Sequence, residues 1–355
     1  MVVSGGRVGG VGGEEREGVG LTNLDAPLFP GAGVTKRDLV DYLDAVADRL
    51  LPVLAGRPLS VIRVHRDSGP FMQKNLPRYA PDWIRGVTIH AEASNRDVRY
   101  ALVDDRRTLL WFANQRAVEY HVPLVREPAW DRPTHLVLDL DPPESVPAPE
   151  GFRLAVEAAR LVREVLAGAG MVAAVKTSGA KGVHVYAPLD AAAGLWDAAA
   201  AGRAVGARAE RLDPALATTA FIREDRGGRV FVDSTRAGGA TVVAAYSPRA
   251  RPGLPVSLPV AWEDLADVVP GEATVRTAVD RLAGGDPWRD RMPPPQALDP
   301  GLVEEGHGIP VARVQAMHEG KRRARARRAT GGTGPAAGDE ASADRRTGAE
   351  PGAGP

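Results

Sequence analysis

The sequence of 355 residues has no cysteine. That absence excludes disulfides, thiolate metal sites and a cysteine nucleophile together, and it fits a reducing compartment. Long apolar runs are also missing. No stretch approaches the roughly 18 residues of a membrane span. The first twenty residues mix glycine with acids and have no apolar segment that could act as a secretory signal. A cytoplasmic protein with no membrane partner is therefore expected. An excess of charge of either sign is absent too, with 45 Lys and Arg against 45 Asp and Glu. Bulk electrostatics neither require nor exclude nucleic acid, and a polyanion site has to arise from local clustering.

What the chain does have is glycine and proline, 40 and 30 residues, with glycine dense at both ends and proline spread through the body. Residues 1–20 read as a disordered glycine-rich segment, 21–290 as a folded body, 291–329 as a partly helical basic extension, and 330–355 as a disordered tail. Within the extension, KRRARARR (Lys321 to Arg328) is either a DNA-phosphate contact or a solvated charge run. Inside the body, helical and extended patterns alternate, which predicts an α/β or α+β fold. Thr35 and Asp38 form a capping-box pattern ahead of Leu39, Tyr42, Leu43, Val46 and Leu50 at helical spacing. Further helices are expected from Leu154 to Gly168 and from Leu195 to Leu212. Strands are expected at 134–141, 171–177, 182–187, 229–233 and 240–246.

Three carboxylates carry the chemistry. In THLVLDLDPPE, Asp139 and Asp141 are two apart on a strand, so they share a face while Leu136, Leu138 and Leu140 face a core. Two carboxylates roughly 7 Å apart by strand rise repel unless a cation lies between them, and a hard divalent ion meets that need. Alone, this short pattern is equally a polar strand end. Asp233 closes a second apolar run in GRVFVDST. Between them lies KTSGAKGVHVYAPL, with Ser178, Lys181 and His184 around two glycines. A strand follows it, so it is neither a Walker loop nor a dinucleotide fingerprint. Its backbone N–H groups and cations still suit phosphate.

With LTNLDAPLFPGAGVTKRDLVDYL, GRPLSVIRV, FMQKNLPRYAPDWIR, YSPRARPGLPVSLPVAWEDL and GDPW added, the chain resembles the polymerase domain of bacterial ligase D, in the archaeo-eukaryotic primase superfamily, over residues 21–288. The resemblance implies a primase-like catalytic fold with an RRM-like mixed sheet flanked by helices. It implies a template-directed, primer- or gap-extending nucleotidyl transferase acting in double-strand-break repair by end joining. Two divalent ions, Mn²⁺ or Mg²⁺, would be held by Asp139, Asp141 and Asp233. His121, Ser178, Lys181, His184 and Arg249 would hold the triphosphate of an NTP or dNTP. Asn23, Lys36 and Phe71 would meet the 5′-phosphate and end of gapped or broken DNA. The implied partners are a Ku-like end-binding protein and a separate ATP-dependent ligase, and a monomer is expected.

Four features depart from the family pattern. Ala26 stands where a lysine is usual, and Met72 where a second aromatic follows the first. STRAGGAT (234–241) replaces a Tyr-Leu-x-Asn segment and is one residue shorter. No ligase or nuclease module accompanies the domain, so a ligase is expected to act in trans. These departures spare the carboxylates and the triphosphate set, and predict altered end recognition. De novo priming and a non-catalytic DNA-end-binding scaffold are the competing functions.

Overall fold

The structure, a computed structural model, describes residues 13–29, 32–65, 69–91 and 95–311. The basic run and the tail lie outside these residues. The glycine-rich start needs a correction at its end. β1 (Glu15–Arg16) and β2 (Val19–Gly20) pair as a hairpin, turning through Glu17 and Gly18 at φ 50° and 72°, the paired positive φ of a tight hairpin turn. Arg16 fastens it, 2.6 Å from both Glu14 and Asp41, while Val19 and Leu21 enter the core.

Thr35 caps α1 (Lys36–Ala45) with the reciprocal bonds of the capping box, as its spacing predicts. The helix does not run on to Leu50 unbroken. Val46 turns its N–H back to Tyr42 and Asp44, and α2 (Ala47–Leu54) starts afresh. Next come β3 (Ser60–Arg63), β4 (Phe71–Gln73), the hairpin of β5 (Gly86–Ala91) and β6 (Arg96–Ala101), α3 (Arg106–Asn114) and β7 (Ala117–Val122). Asp105 caps α3 by accepting from the Thr108 N–H at 2.7 Å.

The second half begins with β8 (His135–Asp141) and α4 (Ala148–Gly168), followed by β9 (Ala174–Thr177), β10 (Val183–Pro188) and α5 (Leu195–Leu212). β9 starts three residues later than the pattern predicts. The N–H groups of Ala169, Gly170 and Met171 close the end of α4 and leave nothing for a ladder. β11 (Ala217–Thr218), β12 (Val230–Asp233), β13 (Val242–Val243) and β14 (Pro259–Val260) follow, then α6 (Ala278–Arg281), α7 (Pro287–Arg291) and α8 (Pro300–Gly308). β13 is cut short because Tyr246 takes φ 69°, a turn conformation.

Two sheets organise the chain. The larger has the order β11-β12-β8-β10-β9-β14, antiparallel except for β11 with β12. The smaller has the order β13-β7-β3-β4. Helices α4 and α5 cover one face of the large sheet, burying Leu136, Leu138, Leu140, Val183 and Val185 against Phe152, Val156, Val162 and Val205. The opposite face looks toward the small sheet, and Val137, Tyr186, Leu124 and Val242 meet between them. The mixed α/β architecture matches the expectation. The body also extends past residue 290, because α8 packs on α5 with Leu302 fully buried. A Cβ at Gly306 would lie 1.8 Å from the Ala200 carbonyl oxygen, so only glycine permits that crossing.

Candidate active site

Strand register assembles the site. Asp139 lies opposite Asp233 on β12 and opposite His184 on β10. His184 in turn lies opposite Lys176 on β9. The result is one cross-strand row, Asp233–Asp139–His184–Lys176, on the sheet face that α4 and α5 leave uncovered. Directly paired side chains stand about 5 Å apart, so each member feels the next. Asp141 is two residues beyond Asp139 on the same face, at the rim. Pro142 and Pro143 end the strand there.

The four groups differ sharply in charge environment. Asp139, Asp233, His184 and Lys176 are buried. Burial raises the Asp139 carboxyl, but His184, Arg236 and Lys176 outweigh it and hold the group ionised, well below the usual range. Asp141 is pushed up to about 7 by desolvation in the cleft and by repulsion from Asp139. His184 is lowered to about 4 by burial, with the Lys176 charge adding to it. Burial likewise pulls Lys176 well below its ordinary value. Lys176 Nζ is 2.9 Å from His184 Nδ1 and donates to Ser257 Oγ at 2.6 Å. His184 Nε2 lies 3.1 Å from Asp139 Oδ1. The ionised Asp139 carboxylate draws the imidazole proton to Nε2, which leaves Nδ1 to accept from Lys176 Nζ.

Arg236, from the 234–241 segment, enters this row. It donates to Asp139 Oδ2 at 2.9 and 3.2 Å and lies 3.2 Å from Asp233 Oδ2. Sequence reasoning missed it, although a lone arginine three residues after a candidate ligand was a usable signal. No group of three or more His, Asp or Glu side chains stands in metal-binding geometry among the described residues. The donor set nonetheless fits a hard divalent cation. Asp139 Oδ1 is buried without a hydrogen bond of acceptable geometry, and the carboxylates already draw a guanidinium between them.

The remaining candidates line the same cleft. Its volume is 780 Å³, with His121, Asp139, Asp141, Ser178, Lys181, His184 and Arg249 in its walls. Glu119 organises one wall from beneath: it lies 2.8 Å from His121 Nε2 and 3.2 Å from Arg249 Nε, and accepts the Ala250 N–H at 2.7 Å. Its carboxyl is lowered to about 2, burial being outweighed by His121 and Arg249. Arg249 also donates to the Ser178 carbonyl. Ser178 Oγ accepts the N–H groups of Ala180 and Gly182, which shapes the loop. A Cβ at Gly182 would stand 2.7 Å from the Leu140 carbonyl oxygen, so the loop touches β8 only as glycine. Lys181 is engaged, donating to the Pro143 and Glu144 carbonyls at 2.9 and 3.2 Å. Arg223, Arg226, Arg229 and Arg251 add cations to the rim. No pattern in the sequence around them singled these out; Arg223 and Arg226 stand on a 3₁₀ turn held by local bonds to Ala220, Phe221 and Ile222.

The residues expected at a DNA end fall elsewhere. Lys36 is buried and donates to Asn114 Oδ1 at 2.6 Å and to the Thr22 carbonyl. Asn114, which sequence reasoning missed, also accepts the Thr22 N–H and donates to the Gly20 carbonyl. Asn23 is exposed at φ 50° beside Thr22. Phe71 is exposed on β4, an edge strand. Ala26 is buried.

Fold and cleft together define a mixed α/β domain with a row of carboxylates at the floor of an arginine-rimmed cleft. Residues 35–288 match the family model for the LigD primase-polymerase domain. The chain belongs to that family. It is 36% identical over 293 residues to the multifunctional non-homologous end joining DNA repair protein LigD of Mycobacterium tuberculosis, covering 79% of this chain and 38% of that protein. It is 32% identical over 282 residues to the bifunctional LigD of Bacillus subtilis, covering 78% and 44%. Among solved structures it resembles the polymerase domain of Mycobacterium tuberculosis ligase D in complex with DNA. That match has 35% identity and a TM-score of 0.70, over 79% of this chain and 98% of that one. The chain thus spans about two fifths of the length of these curated relatives. No helix among the described residues is long and apolar enough to cross a membrane.

Proposed function

We propose that the chain is a template-directed, primer- or gap-extending nucleotidyl transferase that acts on broken DNA in end joining. The observation that carries this reading is the register row. Asp233 and Asp139 stand side by side, with Asp141 at the rim, under a 780 Å³ cleft walled by arginines. In this reading Asp139, Asp141 and Asp233 hold two divalent ions, Mn²⁺ or Mg²⁺. What the ions supply when bound is Lewis acidity at the primer 3′-hydroxyl and charge neutralisation at the departing pyrophosphate.

The chain's own residues do the rest. Arg249 and His121, braced by Glu119, meet the triphosphate from one wall, and Ser178, Lys181 and His184 meet it from the other. For that contact Lys181 exchanges its carbonyl acceptors at Pro143 and Glu144 for phosphate oxygens, a charge-assisted gain. Asp139 holds the His184 proton on Nε2, with Lys176 at Nδ1, so the imidazole is a donor whether it faces carboxylate or phosphate. Asn23 and Lys36 take a terminal 5′-phosphate and Phe71 packs on the DNA end, with nucleoside triphosphates and gapped or broken DNA as substrates. In this reading the partners are a Ku-like end-binding protein and an ATP-dependent ligase activity.

The test is incorporation of labelled nucleotides into a gapped, 5′-phosphorylated duplex with Mn²⁺, alongside a template without primer. Wild type is expected to extend the primer and Asp139→Ala to fail. Equal product from the unprimed template would favour a primase, and full activity in Asp139→Ala would sink the carboxylate assignment.

A further inference from the structure

Behind Tyr186 lies a second cavity, of 810 Å³, which shares only Val242 with the cleft described above. That volume suits a small organic molecule. The walls are largely apolar, with Pro52, Val53, Leu124, Leu189, Met292 and Pro293 among them. Tyr186 lines the cavity and is 5% exposed. Its ring stands edge-on to Trp288 and His135, at 4.9 and 5.6 Å between centroids, and stacks toward His184 at 6.5 Å. Lys176 Nζ is 5.7 Å from the same ring, so an occupant of the cavity would sit one side chain away from the carboxylate row. Neither the Tyr186 hydroxyl nor the Trp288 indole N–H has a hydrogen-bond partner among the described residues. Buried polar groups of these kinds ordinarily have one.

Charge narrows what could fit. Arg57 is 7% exposed, and its guanidinium donates to the Pro123 and Val125 carbonyls and the Thr134 hydroxyl, with no carboxylate among its partners. Arg126, at the surface, makes no side-chain bond to any described residue. The two converge on His135, which burial and their charges lower to about 3, so its imidazole is neutral. The acids on the walls are engaged elsewhere: Asp48 with Arg106 at 2.8 Å, Glu127 with Arg85 at 2.6 Å, and Asp286 with the Tyr246 hydroxyl. Asp190 accepts the Ala192 N–H at 3.0 Å. Two guanidiniums without a carboxylate, beside apolar walls and two rings with free donors, complement an anionic group on a flat apolar body.

We propose that this cavity binds a small planar aryl carboxylate, its carboxylate held by Arg57 and Arg126 and its ring against Tyr186 and Trp288. Neither the cleft nor its chemistry enters that assignment. The full chain, ¹⁵N-labelled at its six tryptophan indoles, is titrated with 2-naphthoate, and the Trp288 N–H signal is identified by its loss in Trp288→Phe. That signal is expected to shift with a Kd of about 1 mM or below, the range open to a ligand of this size. The neutral analogue 2-naphthylmethanol has the same ring without the charge and is expected to bind about tenfold or more weakly. Arg126→Met is expected to weaken naphthoate about fivefold or more. Arg126 is exposed, so the substitution spares the core, and an unchanged thermal midpoint verifies the fold. A Trp288 signal unmoved at about ten times that concentration would overturn the site. A response equal for the alcohol, or equal in Arg126→Met, would overturn the carboxylate assignment.

Discussion

Replacing Arg236 by methionine isolates the electrostatics of the carboxylate row. The substitution keeps most of the side-chain stem and removes a guanidinium that donates to Asp139 at 2.9 Å and lies 3.2 Å from Asp233. Without it, two ionised carboxylates remain side by side on neighbouring strands. At a separation of about 5 Å and an effective dielectric of about 20, their repulsion is about 3 kcal/mol. The Arg236 side chain is 26% exposed and both carboxylates are 9% exposed. Solvent therefore screens part of the loss, and about 2 kcal/mol is expected in metal-free buffer. For a body of about 300 residues, with roughly 2.1 cal/mol/K of unfolding entropy per residue, that is a fall of roughly 3 °C in thermal midpoint. A divalent ion takes over the same neutralising role, and the variant binds it without displacing a competitor. Saturating Mn²⁺ should therefore stabilise Arg236→Met more than wild type and close at least half of the gap. The assay is thermal unfolding in chelator and across a Mn²⁺ titration. An identical gap with and without Mn²⁺ would refute the reasoning, because Arg236 and the ion would then not share a site.

Two further outcomes follow from buried groups. Glu119 is held at about 2 against an ordinary 4.5. Its folded value is depressed, so its stabilisation is present above 4.5 and lost as pH falls toward 2. The stability difference between wild type and Glu119→Gln, at most about 3 kcal/mol, should shrink over that interval in acid urea titrations, and a difference constant with pH would contradict the placement. Lys176 is fully buried on His184 and Ser257. Lys176→Met should leave the thermal midpoint nearly unchanged, since a buried ammonium costs desolvation. It should nonetheless lower incorporation about tenfold or more through loss of the His184 orientation, and wild-type kcat and KM in a folded Lys176→Met would remove that role.

Much of the large sheet was legible because its strands are short, apolar and flanked by turn residues, and because alternation alone puts Asp139 and Asp141 on one face. The capping box at Thr35 was equally visible. Register was not legible. Nothing local says that Asp233 faces Asp139, or that a lysine in the interior of β9 lies two strands away from the carboxylate. Arg236 was hidden for a related reason: only the folded chain carries its guanidinium back to β8. Of the small sheet only β13 was read, as the strand at 240–246, because SVIR and FMQ are too short for periodicity to separate from loop.

In the reading proposed above, the carboxylate row performs templated nucleotidyl transfer. Single-nucleotide insertion into a gap, run with each of the four template bases and each nucleotide in Mn²⁺, tests it most directly. The complementary nucleotide should be preferred at every template base. Asp139→Asn, verified as folded by its thermal midpoint, should lose about a hundredfold or more of that insertion. Insertion indifferent to the template, or retained at wild-type rate in Asp139→Asn, would contradict the claim.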